Sequence, residues 1–415
     1  VLTTLNHIFL NLFFPQIHSK MLDSDDYIYL DHNATTPICP EAVEEIKKVL
    51  HLHGNPSSSH NVGLKAKEAL KGYRKLVGDA FGVDEEFVVF MSGGTEINNT
   101  VIRMSVENYW KQLNKKPYVV TSEMEHPSIL NPLKHLEEQN KISIHYLPIK
   151  KEFGVVDYET LSEDILSESC LITVMYANNE TGVVQPVNQM FEFYKMKTNN
   201  LRNGLQPVFH SDASQVIGRI PLQKPYNFDV ITVTGHKFGG PAIAAMISTN
   251  SNIQSMLLEH PLVYGGGQEG GKRSGTENLP MIAGLSVAID SAIRNVSSFD
   301  EVEKIRDYLE TQLLKKLSAK SFYLRSERLP NTASITFSNM KMTAGELLEK
   351  CRNTFAASTG AACHADTIIV SPCLLALGRS PEEAVRTVRF SLGRENTKDQ
   401  IDKVITTLES VLYHS

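Results

Sequence analysis

Short apolar runs alternate with amphipathic, helix-like segments through the first two thirds of the chain. Four of these runs share one design, an apolar strand followed directly by polar residues: PYVVTSEMEH, CLITVMYANNE, PVFHSDAS and DVITVTGHK. A fifth run, EFVVFMSGG (86–94), leads into a helix pattern with Ile97, Val101 and Met104 at helical spacing. Strands and helices that alternate in this way predict an α/β domain with a mostly parallel sheet.

The pattern changes from about residue 298. SSFDEVEKIRDYLETQLLKKL predicts a charged amphipathic helix, TASITFSN alternates apolar and polar residues, and we expect further helix to the C-terminus. We therefore place a domain change near residue 290. No low-complexity linker marks it, so the two parts are expected to pack together.

The first twenty residues do not fit this organisation. They are apolar, but Asn6, Asn11 and Pro15 interrupt them, so the segment is too short and too broken to span a bilayer. It also lacks the charged region and the cleavage site of a secretory signal. The chain begins with Val1, so Met21 is a candidate start and residues 1–20 are interpreted as an extension or an artefact. An organellar leader is the alternative.

Composition narrows the class of protein. The 415 residues are 41% hydrophobic, which allows two domains with sizeable cores, and 41 Lys and Arg against 47 Asp and Glu leave a net charge of −6. No long basic run is present, so we expect neither nucleic acid nor a membrane as a partner. The five cysteines are odd in number and irregularly spaced, which predicts reduced thiols and a cytosolic protein.

Polar residues follow the predicted strands at their carboxyl ends, where open α/β sheets bind ligands. Read together, they are Gly94-Thr95, His126, Asn178-Asn179, Asp212 with Gln215, and Thr234 with His236-Lys237. The set combines a lysine, an acid, a histidine, amides and a glycine-rich helix start, which is an unusual mixture for a structural core.

Three of these features are the parts that a pyridoxal phosphate site requires. Lys237 can bind the cofactor aldehyde, Asp212, 25 positions earlier, can keep the pyridine nitrogen protonated, and the SGGTE turn (92–96) can hold the phosphate. His126 is a candidate to stack on the ring. Three of these features have an ordinary alternative. Lys237 could be a surface lysine, the SGGTE turn a simple turn with Thr95 as helix N-cap, and His126 a capping histidine before Pro127.

Nine motifs extend this interpretation along the chain: DHNATTP (31–37), GNPSSSH (54–60), SGGTEINN (92–99), EMEHPS (123–128), NNETGVVQPV (178–187), DASQ (212–215), GHKFGGP (235–241), GGGQEGGKRSGTEN (265–278) and RFSLGR (389–394). Together, in this order, they resemble the cysteine desulfurases and selenocysteine lyases, pyridoxal phosphate enzymes of the class V aminotransferase fold. The resemblance implies a fold type I transferase: an α/β large domain with a mostly parallel sheet (37–290) and a smaller α+β domain (21–36 and 291–415).

The resemblance also assigns roles to residues. Lys237 carries pyridoxal 5'-phosphate and acts in catalysis with His126, which stacks on the ring. The other implied cofactor contacts are Gly94, Thr95, Thr234 and His236 at the phosphate, Asp212 at the pyridine nitrogen, and Asn179 and Gln215 near the ring hydroxyl. Thr276, within RSGTEN, resembles a threonine that reaches the phosphate of a neighbouring subunit, which implies a homodimer. Arg389 resembles the arginine that binds the substrate carboxylate, for which its planar fork is well suited, and Asn33 a substrate contact.

A second chemical signal is ASTGAACHAD (357–366), where small residues flank Cys363. The ordinary fate of a cysteine is a buried structural position, which we expect for Cys39, Cys170, Cys351 and Cys373. Cys363 stands about 26 residues before Arg389, where the family keeps its catalytic thiol, and is assigned that role by the resemblance. A metal site formed by Cys363, His364 and Asp366 is an alternative by ligand type, but adjacent ligands chelate poorly, so we expect no metal.

Within the family, GAACH and GGGQE followed by GTENLPMIAGL resemble the eukaryotic selenocysteine lyases, whereas Gly240 and Ala242 depart from them. The expected activity belongs to selenium metabolism: conversion of L-selenocysteine to L-alanine and selenide or elemental selenium, with a selenide or sulfur acceptor protein as a further partner. The alternative is a cysteine desulfurase that takes sulfur from L-cysteine as a cysteine persulfide. A third hypothesis, from another class, is a cofactor-bound scaffold without turnover.

Overall fold

The computed structural model describes residues 27–198, 205–224, 226–322, 325–359, 361–364 and 367–413. For residues 361–364 and 367–369 it describes the backbone alone. The predicted N-terminal extension, residues 1–20, lies outside the described residues.

The strands are numbered in chain order: β1 (Ile28–Tyr29), β2 (Val88–Met91), β3 (Tyr118–Thr121), β4 (Ser143–Tyr146), β5 (Ile149–Lys150), β6 (Val155–Val156), β7 (Ser169–Thr173), β8 (Val208–Asp212), β9 (Val230–Thr234), β10 (Ala244–Ser248), β11 (Ala319–Ser321), β12 (Thr332–Phe337), β13 (Phe355–Ala356), β14 (Ser358–Thr359), β15 (Ala361–His364), β16 (Thr367–Val370) and β17 (Thr387–Ser391).

The α-helices are α1 (Pro40–Val49), α2 (Asn61–Phe81), α3 (Gly94–Leu113), α4 (Pro127–Glu138), α5 (Glu163–Ser167), α6 (Val187–Thr198), α7 (Ser251–Glu259), α8 (Leu279–Arg294), α9 (Phe299–Lys316), α10 (Ala344–Cys351), α11 (Pro372–Ala376), α12 (Pro381–Val385) and α13 (Lys398–Tyr413).

The large sheet has seven strands in the order β2-β10-β9-β8-β7-β3-β4. Strand β10 pairs antiparallel with both β2 and β9, while the other pairs are parallel, so the remaining six strands share one direction. Their carboxyl ends therefore meet along one edge. The predicted α/β fold with a mostly parallel sheet is confirmed.

Helices cover both faces of this sheet, and the strands are buried accordingly. In β2, Val88 and Phe90 pack into one apolar cluster while Val89 and Met91 pack into another on the opposite face. The predicted helical stripe on α3 lies against the second cluster. Burial on both faces explains why the central strands appear in the sequence as continuous apolar runs.

A smaller, antiparallel sheet has the order β11-β12-β17-β14. The N-terminal segment joins it: β1 pairs in parallel with β13, and Asp31 forms a bridge with Ser391. Ile28 and Leu30 belong to the apolar cluster that the chain builds again from Val302 onward. The domain limits at 36/37 and 290/291 stay predictions.

The last third of the chain differs from the helix expected there. Between residues 355 and 391, four short strands, β13 to β16, follow one another, and two short helices then precede a fifth strand, β17. These strands are two to five residues long, and β13, β14 and β17 pair with segments remote in sequence. Strands this short and this rich in Ala, Ser and Thr carry no local period that could reveal them.

Among the described residues, no single helix has both the length and the apolar composition needed to cross a membrane, although Leu279–Arg294 and Val296–Lys316, bent by 66°, satisfy that test as a pair.

Candidate active site

A cavity of about 540 Å³ lies at the carboxyl ends of the parallel strands. It brings together sequence-predicted residues from both sheets: Asn33, Gly94, Thr95, His126, Asn179, Asp212, Gln215, Thr234, His236, Lys237 and Arg389. Asn178, by contrast, is fully buried behind this lining and donates to Met124 O and Cys373 Sγ. Residues separated by more than 350 positions thus share one pocket.

Lys237 stands in a short 3₁₀ turn, Gly235–Lys237, that directly follows β9. Its Nζ donates to the main-chain oxygens of Asn33 and Ala34 at 2.9 and 2.7 Å. Burial, together with the positive charges of Arg219 and Arg389, lowers the pKa of this amine to about 8. A lysine with a pKa near 8 supplies an appreciable fraction of uncharged, nucleophilic amine at neutral pH.

Asp212 ends β8 and receives two donated hydrogen bonds, from Asn98 Nδ2 at 2.9 Å and from the Ser214 N–H at 3.0 Å. The Asn98 amide is oriented in turn by Thr232, whose hydroxyl donates to Asn98 Oδ1 at 2.7 Å. The carboxylate therefore remains an acceptor, which suits a partner with a ring N–H.

This hydrogen-bond network continues within the sheet to His210 of β8, which lies between the hydroxyls of Thr173 and Thr232 at 2.8 and 3.0 Å. Because Thr232 donates to Asn98, it accepts from His210 Nε2, and His210 Nδ1 accepts from Thr173. Burial lowers the pKa of His210 to about 4, so the ring is neutral and this hydrogen-bond direction holds at physiological pH.

Gly94 and Thr95 begin the 20-residue helix α3, whose N-cap is Gly93 and not Thr95. A Cβ added to Gly94 would lie 2.3 Å from Thr234 Oγ1, so this close approach requires glycine. Thr234 Oγ1 lies 2.8 Å from Ser214 Oγ. Hydroxyls beside the amino end of a long helix form an anion site of the kind that binds phosphate.

The donor set fits pyridoxal phosphate. The helix start and the Ser214–Thr234 hydroxyl pair suit the phosphate, Asp212 suits the pyridine nitrogen, and Lys237 is the one lysine among the described residues that line the cavity. A lining with these three chemistries in one cavity is the arrangement expected from the sequence.

His126 combines two roles that the sequence left as alternatives. It is the N-cap of α4, with Nδ1 accepting from the Ser128 N–H at 3.1 Å, and it also lines the cavity. Burial lowers the pKa of the imidazole, with a smaller contribution in the same direction from Lys237. The neutral ring therefore carries its proton on Nε2.

Arg389 reaches the cavity from β17 of the small sheet. One terminal nitrogen donates to Asp31 Oδ1 at 2.6 Å and the other to Asn179 O at 2.9 Å. Its Nε is buried and has no partner among the described residues. A buried donor left over on a guanidinium is well placed for a carboxylate ligand.

Asn33 lies in the lining, but its side chain is fully engaged. Nδ2 donates to Asn179 O at 3.1 Å and Thr332 Oγ1 at 2.9 Å, and Oδ1 accepts from Asn331 at 3.1 Å. The side chain joins the N-terminal segment to β12, and its predicted substrate contact stays a prediction.

Two predicted site residues are not among those that line this cavity as described. Thr276 lines a neighbouring cavity of about 260 Å³ beside Arg273 and Glu269, so the structure does not bring it to this chain's own phosphate site. The Glu269 carboxylate that anchors this loop is buried against Arg74 at 2.7 Å and accepts the Phe90 N–H at 2.9 Å. The Cys363 side chain, and with it the alternative Cys363/His364/Asp366 metal site, lies outside the described side chains. No cluster of metal-binding side chains occurs among those that are described.

One departure from the selenocysteine lyase pattern has a physical reason. A Cβ on Gly240 would lie 3.0 Å from the main-chain oxygen of Gly235, which already accepts the Gly240 N–H at 2.9 Å. A side chain at this position would require the backbone of the turn before Lys237 to shift by a few tenths of an ångström. Ala242 lines both cavities and leaves space where the pattern has a basic residue.

The sequence interpretation missed several polar residues of the site: Ser92, Asn98, Ser128, Ser214 and Arg219. Asn98 and Ser214 stand inside motifs that were recognised, SGGTEINN and DASQ, and Asn98 follows Thr95 by one helical turn. That spacing was the signal available for Asn98. Arg219 follows DASQ in an irregular turn, where no spacing rule indicates it.

Comparison with known proteins covers nearly the whole chain. The family model described as aminotransferase class-V matches residues 28–404. A selenocysteine lyase from Xenopus tropicalis is 37% identical over 401 residues, covering 92% of each chain. A cysteine desulfurase from Trichormus azollae is 35% identical over 391 residues, covering 93% of this chain and 92% of its own. A solved NifS-like protein superimposes with a TM-score of 0.82 at 29% identity, covering 94% of this chain and all of the other.

Proposed function

Because the chain belongs to the class V aminotransferase family, whose members of this type are pyridoxal phosphate enzymes, we propose that it is a selenocysteine lyase. It converts L-selenocysteine to L-alanine and releases elemental selenium, or selenide where a thiol reductant supplies two electrons. The single observation that carries the chemistry is the shared cavity, in which Lys237, Asp212 and Arg389 meet. The choice of substrate is supported by the GAACH motif and by the similarity to selenocysteine lyases.

Substrate binding is assigned to Arg389 and to the lysine side of the cavity. Arg389 binds the amino acid carboxylate through its free Nε, held in place by Asp31 and Asn179. Bound pyridoxal phosphate supplies the protonated ring that takes up the electron pair of the Cα–H bond. Lys237 Nζ accepts the Cα proton and later returns a proton to the three-carbon product.

Asp212 and His126 are the residues that would hold the cofactor ring. The Asp212 carboxylate, fixed by Asn98 and Ser214, would accept the ring N–H. His126 faces the cavity as a neutral imidazole with Nδ1 tied to the Ser128 N–H. Cys363 assists cleavage of the bond between Cβ and selenium, either by donating a proton to Cβ, which keeps the bonding electron pair, or by accepting the selenium atom on its sulfur.

Cysteine desulfurase is the second candidate, because desulfurases are as similar to the chain as several of the lyases. Alanine release from selenocysteine and from cysteine, measured side by side on one preparation, decides between them. We expect selenocysteine to be the much faster substrate, since a selenol ionises more readily than a thiol and its bond to carbon is weaker. Equal rates, with persulfide on Cys363, would assign the chain to the desulfurases.

We further propose a homodimer that shares its active sites. Thr276 lies outside its own chain's phosphate site, as a threonine that serves a neighbouring subunit must. A two-fold interface would use the same surface twice. Sedimentation at micromolar concentration is expected to give a dimer, and Thr276→Val to weaken cofactor retention without changing the mass. A fully active monomer would exclude shared sites.

Two further proposals rest on the sequence. A cytosolic location is proposed from the odd, irregularly spaced cysteines, and a selenide or sulfur acceptor protein from the chemistry of the released atom. Fractionation of the producing cells and crosslinking through Cys363 would test them.

A further inference from the structure

Arg219 lies at the back of the active site, with 4% of its surface exposed. All four of its terminal N–H donors meet oxygens of active-site segments. One nitrogen donates to Gln215 O at 2.9 Å and, at very close approach, to Gln215 Oε1. The other donates to His32 O and Lys237 O, each at 3.0 Å.

These bonds determine the orientation of Gln215. Because Oε1 accepts from Arg219, the amide nitrogen points the other way and donates to Asn33 O at 3.0 Å. Asn33 O also accepts from Lys237 Nζ. One guanidinium thereby connects the main chain of Lys237, the 32–34 segment and the amide predicted to lie near the ring hydroxyl.

The charge of Arg219 is not neutralised locally. No carboxylate of the described residues lies within 4.0 Å of it, and all its hydrogen-bond acceptors are neutral. A buried ion without a counter-ion destabilises the folded state. Burial, reinforced by Arg389, lowers the pKa of the guanidinium to about 9, which leaves it charged at neutral pH. The four neutral acceptors orient the guanidinium but leave its positive charge free to act on neighbouring groups.

The environment of Lys237 shows what this charge does. Burial is the largest influence on the pKa of Lys237, Arg219 is the next, and Arg389 follows in the same direction, while Asp212 and Asp31 act against them. Burial lowers the pKa of the His126 and His236 imidazoles, and the Lys237 charge lowers both further, so both rings are neutral. When substrate binds, its carboxylate neutralises the charge of Arg389. Arg219 therefore acts on Lys237 both before and after substrate binding.

We propose that Arg219 is a positioning residue for Lys237: its fork clamps the lysine main chain to the 32–34 segment, and its unneutralised charge favours the uncharged amine that captures the cofactor aldehyde. This inference rests on the proposed function, since it concerns the same lysine. The charge of Arg219 acts on the protonation of the Lys237 amine, and its planar fork acts on the position of the Lys237 main chain, so the two effects can be tested separately.

The charge effect is measured on the cofactor-free protein. Acetylation of Lys237 by acetic anhydride, followed by peptide mass spectrometry across pH, reports the midpoint at which the amine loses its proton. We expect a wild-type midpoint near pH 8. A nearby charge moves a pKa by on the order of 1–3 units, so Arg219→Gln is expected to raise the midpoint and to slow capture of pyridoxal phosphate roughly tenfold at pH 7.

Arg219→Lys separates the two effects. It keeps the charge, so the midpoint should stay close to that of the wild type, but it lacks the fork, so bound cofactor should dissociate roughly tenfold faster, the loss of about one charge-assisted hydrogen bond. Arg306→Gln is the matched control. Arg306 is another arginine with 3% exposure, it lies in the small domain, and its loss should lower thermal stability without moving the Lys237 midpoint.

The outcomes are distinct. An unchanged midpoint in a folded Arg219→Gln protein overturns the charge effect, and wild-type retention of cofactor by Arg219→Lys overturns the clamp. If Arg219→Gln does not fold, a raised midpoint in Arg219→Lys contradicts the proposal and an unchanged one supports it. Failure of the wild-type protein to attach cofactor at Lys237 would reject the proposed function instead, and the acetylation midpoint would still be measured.

Discussion

Lys237→Ala is expected to abolish covalent retention of pyridoxal phosphate and to reduce alanine release by on the order of 10³-fold or more. The variant loses both the amine that binds the aldehyde and the base that removes the Cα proton. No other lysine lines the cavity as the structure describes it, so no neighbour can replace it. The measurement is borohydride reduction of the yellow protein, followed by mapping of the modified peptide.

The matched control is Lys75→Ala. Lys75 is an exposed lysine that pairs with Asp79 on α2, remote from the cavity, and its removal should change neither colour nor rate. A reducible adduct that persists in the Lys237→Ala protein would show that another amine carries the cofactor and would reject the assignment.

Cys363→Ala is expected to separate cofactor binding from cleavage of the bond between carbon and sulfur or selenium. Its backbone lies in the β15–β16 hairpin, where it pairs with Ile368, and no strand of the large sheet contributes to that hairpin. Cofactor absorbance and retention should therefore remain those of the wild type. Turnover of cysteine should fall to near background, whereas turnover of selenocysteine should survive in part, because the weaker carbon–selenium bond breaks with less assistance from the thiol.

The control for the thiol is Cys39→Ala. Cys39 was expected to be buried, but it is partly exposed, unlike Cys170, Cys351 and Cys373. Partial burial raises the pKa of its thiol, and the protein should tolerate the change with full turnover of both substrates. Wild-type cysteine turnover by the Cys363→Ala protein would exclude Cys363 from the reaction. Equal loss of both turnovers would mean that selenium also requires the thiol, and would weaken the distinction between lyase and desulfurase.

Several features followed from the sequence because their causes are local. Strands buried on both faces appear as continuous apolar runs. Strand β9 ends at Thr234, directly before the turn that carries His236 and Lys237. Parallel strands place their carboxyl ends at one edge, so the polar residues after β3, β8 and β9 were expected to meet there. The family resemblance, the fold class and the pyridoxal phosphate cofactor are confirmed.

Other features depend on partners that are remote in the chain. Arg389 enters the cavity from the small sheet, and its partners Asp31 and Asn179 stand more than 200 residues away. Asn33 was predicted to contact substrate, but its side-chain amide is hydrogen-bonded to Thr332 and Asn331. The short strands β13 to β17 are too short for a period of their own and exist through pairing.

The sequence by itself determined the mostly parallel large sheet and the chemical types gathered at its carboxyl edge, because burial is recorded in nearest-neighbour patterns. Tertiary structure alone decided how each of those groups is oriented and charged. The lowered pKa of Lys237, the fixed amide of Gln215 and the buried cation of Arg219 arise from burial and from contacts across hundreds of residues. Electrostatic energies depend on distance and on exclusion from water, and neither quantity exists until the chain has folded.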